Sequence, residues 1–367
     1  MNTERSATTL VKRGLKKAVR FLLSIRLIRQ ISAGLTRASW FFFKVTYGRK
    51  SPQRFTIPLA SWKPAGGSPV VAMRWMMTHL CPYSCSYCLV NRDILEKKSK
   101  GNHAFHNYSV AEWLSAFRRH FVLDRLSLTI TGGEPMADRN SVIALLNGLS
   151  SMSTVECIRI DTNAFWEPEQ YCELDRSKLT LNCAFHPGQT DEEAYFDRMR
   201  RIVSSGFRVA KVNYVFFGNQ MDRYLEYKAR LGKLGIPINA NSEVHSSRTE
   251  EEQKFLAQEL TEFEFKHKVM RSPTFGKQCL YPSIAYQMDY AGKVSVGCFP
   301  LVSGSFFDDR LPKRPEGPVP CPSRNCYCTD KHVMLEDADP LRAAAINPLA
   351  FYREELLNLH GQGNIDG

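Results

Sequence analysis

From Val70 onward, the apolar positions switch repeatedly between two periods. Short apolar or alternating runs such as VVAMRWMMT (Val70–Thr78) and LSLTIT (Leu126–Thr131) predict strands. Between them, longer runs with apolar residues three and four apart predict amphipathic helices. SVAEWLSAFRRHF opens on Ser109 and carries Glu112 three residues later, a capping box that marks a helix start. NSVIALLNGL predicts the next helix, and VECIRIDTN and KLTLNCAFH predict two more strands. DEEAYFDRMRRIVSSG predicts a helix closed by Gly206. RVAKVNYVFF (strand), MDRYLEYKARLGKLG (helix) and IPINANSEV (strand) follow. The series ends on TEEEQKFLAQEL, a helix with acids in its first turn, where the helix dipole favours them. About six strands alternating with helices imply parallel βαβ units, short of the eight that close a full barrel. The pattern predicts an α/β fold, a partial, open (β/α)6 TIM-like barrel, over residues 70–265.

The flanks read differently. Val11, Leu15, Ala18, Val19, Leu22 and Ile25 share one helical face, and Lys12, Arg13, Lys16, Lys17 and Arg20 the other. This predicts a basic N-terminal amphipathic helix, followed by the aromatic cluster Trp40–Phe43. Residues 1–54 form this leader, and residues 55–69, with the stretch WKPAGGSP, a linker. Charge sharpens the division. The chain carries +12, and the leader alone holds thirteen Lys and Arg against one acid, Glu4, which leaves the rest balanced. The body is therefore not a basic nucleic-acid-binding surface, and no nucleic-acid partner is expected. The leader, residues 1–50, suits an anionic membrane surface. A helix packed on the body and a partner-binding arm are the alternatives. No apolar run reaches the roughly 18 residues of a membrane span, and no secretory h-region with a cleavage site is present. The expected location is cytoplasmic, peripheral at the inner face of the membrane. Beyond residue 266, Pro, Gly and Cys become denser. MDYAGKVSVGCF predicts a hairpin turning at Ala291-Gly292, within a smaller cysteine-rich C-terminal module over residues 266–367.

Eleven cysteines without a secretory signal point to thiols in a reducing compartment, where clustered cysteines read as metal sites. Cys81, Cys85 and Cys88 follow the first predicted strand with spacing C-x3-C-x2-C. Three soft thiolates suit an iron–sulfur cluster and leave one coordination position open, the logic of a catalytic site. A zinc site completed by His79 or His103, and core thiols that happen to cluster, are the other readings.

CPYSCSYC resembles the signature of radical S-adenosylmethionine (radical SAM) enzymes. TGGEP (Thr131–Pro135) resembles that family's GGEP motif, and DTNA (Asp161–Ala164) its third strand end. The resemblance spans Val70 to Val244. It implies a 4Fe–4S cluster on Cys81, Cys85 and Cys88, with S-adenosylmethionine at the open iron. It also implies Tyr87 near the adenine, and Gly132, Gly133 and Glu134 at the methionine amino group. Thr162 and Asn163 would contact the ribose, although a strand-end Asn is as often a turn residue. An external one-electron donor of flavodoxin or ferredoxin type would drive cleavage to methionine and a 5′-deoxyadenosyl radical, which abstracts hydrogen from substrate.

Cys279 and Cys298 are spaced C-x12-G-x5-C, and CPSRNCYC adds Cys321, Cys326 and Cys328. This set resembles the SPASM or shorter twitch auxiliary-cluster domains. The gap from Gly to Cys is one residue longer, and C-x4-C-x-C departs from the fullest SPASM spacing. Five thiols imply one auxiliary 4Fe–4S cluster with one thiol spare; a structural zinc knuckle is the alternative. Cys157, Cys172 and Cys183 read as core or surface thiols, and His103 and His106 as surface residues. His186, Asn182, Asn213, Asn241 and Glu243 lie in or near strands and are candidates to face substrate or cofactor. Strand alternation should leave about half of them facing away. The expected activity is oxidation or epimerisation of a small molecule or carbohydrate. A peptide- or protein-modifying maturase is the alternative, for which residues 1–69 are too basic, helical and short to be a docking module. A non-catalytic iron–sulfur electron carrier would have no need of GGEP.

Overall fold

The computed structural model describes residues 70–88, 102–216, 218–242, 248–260, 264–298 and 302–326. The expected leader and linker, Glu243 and Cys328 lie outside the described residues.

Six strands follow the predicted order: β1 (Val70–Thr78), β2 (Arg125–Gly132), β3 (Val155–Thr162), β4 (Leu179–Phe185), β5 (Val209–Phe216) and β6 (Ile238–Ser242). Each pairs in parallel with the next. Helices α1 (Ala104–Asn107) and α2 (Val110–His120) link β1 to β2, and α3 (Arg139–Ser150) links β2 to β3. The later helices are α4 (Glu192–Ser204), α5 (Met221–Gly232) and α6 (Glu250–Glu259). Between β3 and β4 only a 3-10 turn at Pro168–Tyr171 stands in for a helix. Among the described residues the sheet is mostly parallel and does not close on itself, consistent with a partial TIM-like barrel. The predicted capping box of Ser109 with Glu112 forms, and Thr249 makes a second one with Glu252. Among the described residues no helix is long and apolar enough to cross a membrane.

The two faces of the sheet differ in kind. Alternate residues Trp75, Leu128, Ile160, Leu181 and Tyr214 are buried in one core with Trp113, Phe117, Leu146, Tyr195 and Tyr227 from the helices. The opposite parity is polar. Arg74 stands opposite Thr129, Thr129 opposite Arg159, and Arg159 opposite Thr180. Asn182 stands opposite Lys211, and Asn213 opposite Asn239. Parallel sheets covered on both faces carry near-continuous apolar strands. Here the period-2 polarity keeps one face for polar contacts.

The later elements are β7 (Gln278–Cys279), α7 (Tyr281–Ile284), β8 (Ala285–Met288), β9 (Lys293–Val296), β10 (Ser303–Ser305) and β11 (Val319–Pro320). The predicted hairpin forms between β8 and β9, with Gly292 at φ +78° in its turn. Asp289 Oδ1 accepts from the N–H groups of Ala291 and Lys293, closing that turn. The hairpin does not build a sheet of its own. β8 pairs in parallel with β1, so β8, β9 and β10 continue the main sheet past its first strand. Tyr286, Met288, Val294, Val296 and Phe306 accordingly join the main core. The change of texture near residue 266 is a change of connections, while β7 and β11 pair as a separate two-stranded ribbon.

Candidate active site

The candidate residues meet beyond the C-terminal ends of β1 to β4. β1 ends at Thr78 and runs directly into the cysteine loop. Gly132, at φ +147°, brings the end of β2 so close that an added Cβ would lie 2.1 Å from the Thr78 carbonyl oxygen. A Cβ on Gly133 would lie 2.0 Å from the Leu80 oxygen. Gly133 N–H donates to Thr78 O at 2.7 Å and Glu134 N–H to Leu80 O at 2.6 Å. Only glycine permits this approach. In the described structure the approach is to the base of the cysteine loop itself.

Glu134 is 1% exposed. Its Oε1 accepts from Thr162 Oγ1 at 2.7 Å and Met136 N–H at 3.0 Å, and its Oε2 from Asn163 N–H at 2.7 Å. Three of a carboxylate's roughly four acceptor positions are thus taken by the chain. Burial pushes its pKa up to about 7, against the pull of those donors. The side chain ties the end of β2 to the end of β3. Thr162 Oγ1 is further held by Trp166 Nε1 and Ala164 N–H, each at 3.0 Å.

Cys85 is buried, and Cys81 and Cys88 are half-buried. Cys81 Sγ receives Tyr83 N–H at 3.4 Å and lies 3.6 Å from Asn163 Nδ2. Burial pushes the Cys81 thiol up to about 11 and raises Cys85 as well. A bound cation would therefore be needed to hold these sulfurs as thiolates at neutral pH. From the end of β4, His186 Nδ1 lies 3.1 Å from Tyr87 Oη and 3.7 Å from Cys85 Sγ. The Tyr87 and His186 rings are parallel within 4°. Burial lowers His186 to about 4 and raises Tyr87 well above its ordinary value, so both are neutral at pH 7. His186, left open by sequence, thus belongs to the cysteine loop's surroundings. The soft donor set, with N–H groups on its sulfur, is the chemistry an iron–sulfur cluster uses.

Among the described residues no three His, Cys, Asp or Glu side chains gather closely enough for a single metal ion. Each histidine proposed for zinc has one ring nitrogen engaged elsewhere. His79 Nε2 lies 3.2 Å from Met76 Sδ, and His103 Nδ1 accepts from Phe105 N–H. His103 corrects a sequence expectation: it is 2% exposed, not a surface residue. It bridges to Thr78 and caps α1, which draws it beneath the loop. His106 is exposed, as expected.

No family model matches this chain, and no curated protein matches it. Solved structures do. The crystal structure of Streptococcus suis SuiB bound to S-adenosylmethionine is 13% identical, with TM-score 0.44, covering 65% of this chain and 63% of that one. A second crystal structure of Streptococcus suis SuiB is 14% identical, with TM-score 0.42 and the same coverage. BtrN in complex with AdoMet and 2-DOIA is 13% identical, with TM-score 0.31, covering 66% of this chain and 76% of that one. The chain spans 63% of the length of the SuiB chains it matches.

A polar chain crosses the polar face of the sheet, where Arg159, Asn182 and Lys211 are buried. Arg159 Nε pairs with Asp161 Oδ1 at 3.0 Å, Asn182 Nδ2 donates to the same oxygen at 2.9 Å, and Asn213 Nδ2 donates to Asn182 Oδ1 at 3.0 Å. Asn241, opposite Val215, shares this parity. Asn182, Asn213 and Asn241 therefore all lie on the polar face, where alternation alone had suggested about half. The register shift between Leu181 and Asn182 brings β4 and β5 into step. Arg74, Arg159 and Lys211 were not singled out from sequence. Their signal was a charge at alternate positions of otherwise apolar strands.

Of the second cysteine set, Cys279, Cys321 and Cys326 pack together with Ala72, Leu280 and Tyr281. The backbone of Cys321 pairs with Gly276 and Lys277, and Cys321 Sγ lies 3.6 Å from Thr274 Oγ1. Cys298 is exposed just after β9. Cys183 is buried, Cys172 exposed and Cys157 half-buried, with its Sγ 3.2 Å from Ser127 Oγ.

Proposed function

We propose that this chain is a radical SAM enzyme, with Cys81, Cys85 and Cys88 as ligands of a 4Fe–4S cluster and S-adenosylmethionine at the open position. The observation that carries the reading is the meeting of three motifs far apart in sequence. The GGE turn packs on the cysteine loop through Gly133 and Glu134, and Asn163 reaches Cys81 from the third strand. When bound, the cluster supplies the electron that splits S-adenosylmethionine into methionine and a 5′-deoxyadenosyl radical, which takes hydrogen from substrate. The chain's own residues do the rest. Gly132 and Gly133 let the loop base sit against β2, and Glu134 anchors Thr162 and Asn163. Tyr87, stacked with His186, walls one side of the loop.

The substrate in this reading is a small polar molecule or carbohydrate, which is oxidised or epimerised. The polar face of the sheet supports it: fixed amides at Asn182 and Asn213 and charges at Arg74, Arg159, Asp161 and Lys211 suit a ligand recognised by hydrogen bonds. Cys279, Cys321 and Cys326, with Cys298 or Cys328, hold an auxiliary 4Fe–4S cluster of SPASM or twitch type, and an external flavodoxin- or ferredoxin-like protein delivers electrons. Iron analysis and EPR of the anaerobically reconstituted protein test the reading. About eight irons per chain and an EPR signal of the reduced protein that changes on adding S-adenosylmethionine support it. About four irons remove the auxiliary cluster, and zinc in place of iron removes the reading.

A further inference from the structure

Asn163 is held by contacts that fix the direction of its side-chain amide. Its backbone N–H donates to Glu134 Oε2 at 2.7 Å, and its Oδ1 accepts from Phe165 N–H at 2.9 Å. Because the oxygen end is taken by an N–H group, the other end is the amide nitrogen. That nitrogen lies 3.6 Å from Cys81 Sγ. The next residue, Ala164, sits at φ +58°, a left-handed conformation that non-glycine residues adopt at a cost. Asn163 itself is 5% exposed. A buried amide aimed at a neutral thiol gains little, since the thiol sulfur is a weak acceptor. Aimed at an anionic sulfur it makes a charge-assisted hydrogen bond, roughly twice as strong. Tyr83 N–H approaches the same sulfur at 3.4 Å.

We propose that Asn163 is a positioning residue that sets the reduction potential of the centre held by Cys81, a proposal that rests on the reading of Cys81, Cys85 and Cys88 as cluster ligands. Reduction adds negative charge, part of which resides on the ligating sulfurs. An N–H group fixed against Cys81 Sγ stabilises that charge and raises the potential. Glu134 acts one step further out, by holding the Asn163 backbone.

The test is an EPR-monitored potentiometric titration of the full-length protein, reconstituted anaerobically, as wild type, N163A and N163D. N163A removes the donor. N163D keeps the shape and the acceptor for Phe165 N–H but sets a carboxylate where the donor stood. The expected result is unchanged iron content and a more negative midpoint in N163A. The shift expected is a tenfold change in the reduced-to-oxidised ratio at fixed potential, about 59 mV for one electron. N163D shifts further in the same direction. Full iron content with a wild-type midpoint in both variants overturns the proposal. If both variants lose the cluster, wild-type protein labelled with nitrogen-15 asparagine decides: pulsed EPR of the reduced state shows a nitrogen-15 coupling if the bond exists, and its absence overturns the proposal. A wild type that assembles no 4Fe–4S cluster defeats the underlying reading instead, and the two failures are distinct.

Discussion

Replacing Gly133 by alanine isolates the contact on which the site depends. The new Cβ would stand 2.0 Å from Leu80 O, 2.5 Å from Leu80 C and 2.9 Å from His79 C, all backbone atoms that no side-chain rotation can move aside. Something must shift, and the cysteine loop is what lies against it. Moving it apart strains or breaks Gly133 N–H to Thr78 O and Glu134 N–H to Leu80 O. Those two hydrogen bonds contribute about 1 kcal/mol each, and overpacking costs a further 1–3 kcal/mol or so. At about 2–4 °C per kcal/mol for a domain of this size, a loss of about 3 kcal/mol lowers Tm by about 6–12 °C. Iron content of the reconstituted protein should fall with it, because the displaced loop carries the three proposed ligands. The control is Gly232→Ala, near the end of α5, where an added Cβ meets nothing within 4 Å and helix propensity is gained. The assay is thermal unfolding and iron analysis on both variants side by side. A G133A protein with wild-type Tm and full iron would refute the idea that this glycine is there for close approach.

Glu134→Gln is expected to flatten the pH dependence of stability. Burial raises the folded-state pKa of Glu134 to about 7, so the folded protein binds a proton that the unfolded chain releases near pH 4.3 or so. That contribution is full below the unfolded pKa and is lost as pH rises to about 7, a downward slope that urea titrations across this range should find in wild type and not in E134Q. Asn182→Ala and Asn213→Ala, on the polar face, should leave iron content and substrate-free cleavage of S-adenosylmethionine intact while weakening turnover of substrate; a loss of substrate-free cleavage would place these amides at the cofactor instead. Cys279→Ser should lower the iron content by about four atoms per chain, whereas exposed Cys172→Ser should lower it by none.

Much of the fold was legible because local and global signals agree. The β1–β6 strands sit where apolar runs are bounded by turns, Ser109–Glu112 caps the helix it announces, and the acids of TEEEQ open α6. What sequence did not convey was long-range pairing. Nothing local in AYQM says that β8 adds to the free side of β1, because that pairing joins segments some two hundred residues apart. The site was legible in its motifs and less so in its contacts. The resemblance places the glycines at 132 and 133 at the methionine amino group, and their described neighbour is the chain's own backbone at Thr78 and Leu80. His186 gave no periodic signal, and only the parallel register that carries the ends of β1 and β4 to the same edge brings it to Cys85. His103 looked like a loop residue because its bridge to Thr78 and its cap on α1 leave no periodic signal in the sequence.

The central claim is tested most directly by incubating the anaerobically reconstituted full-length protein with S-adenosylmethionine and dithionite and measuring 5′-deoxyadenosine. The account predicts its formation by the wild type, and none when Cys81, Cys85 and Cys88 are replaced by alanine. Absence of 5′-deoxyadenosine from wild-type protein whose cluster is intact and reducible would contradict it.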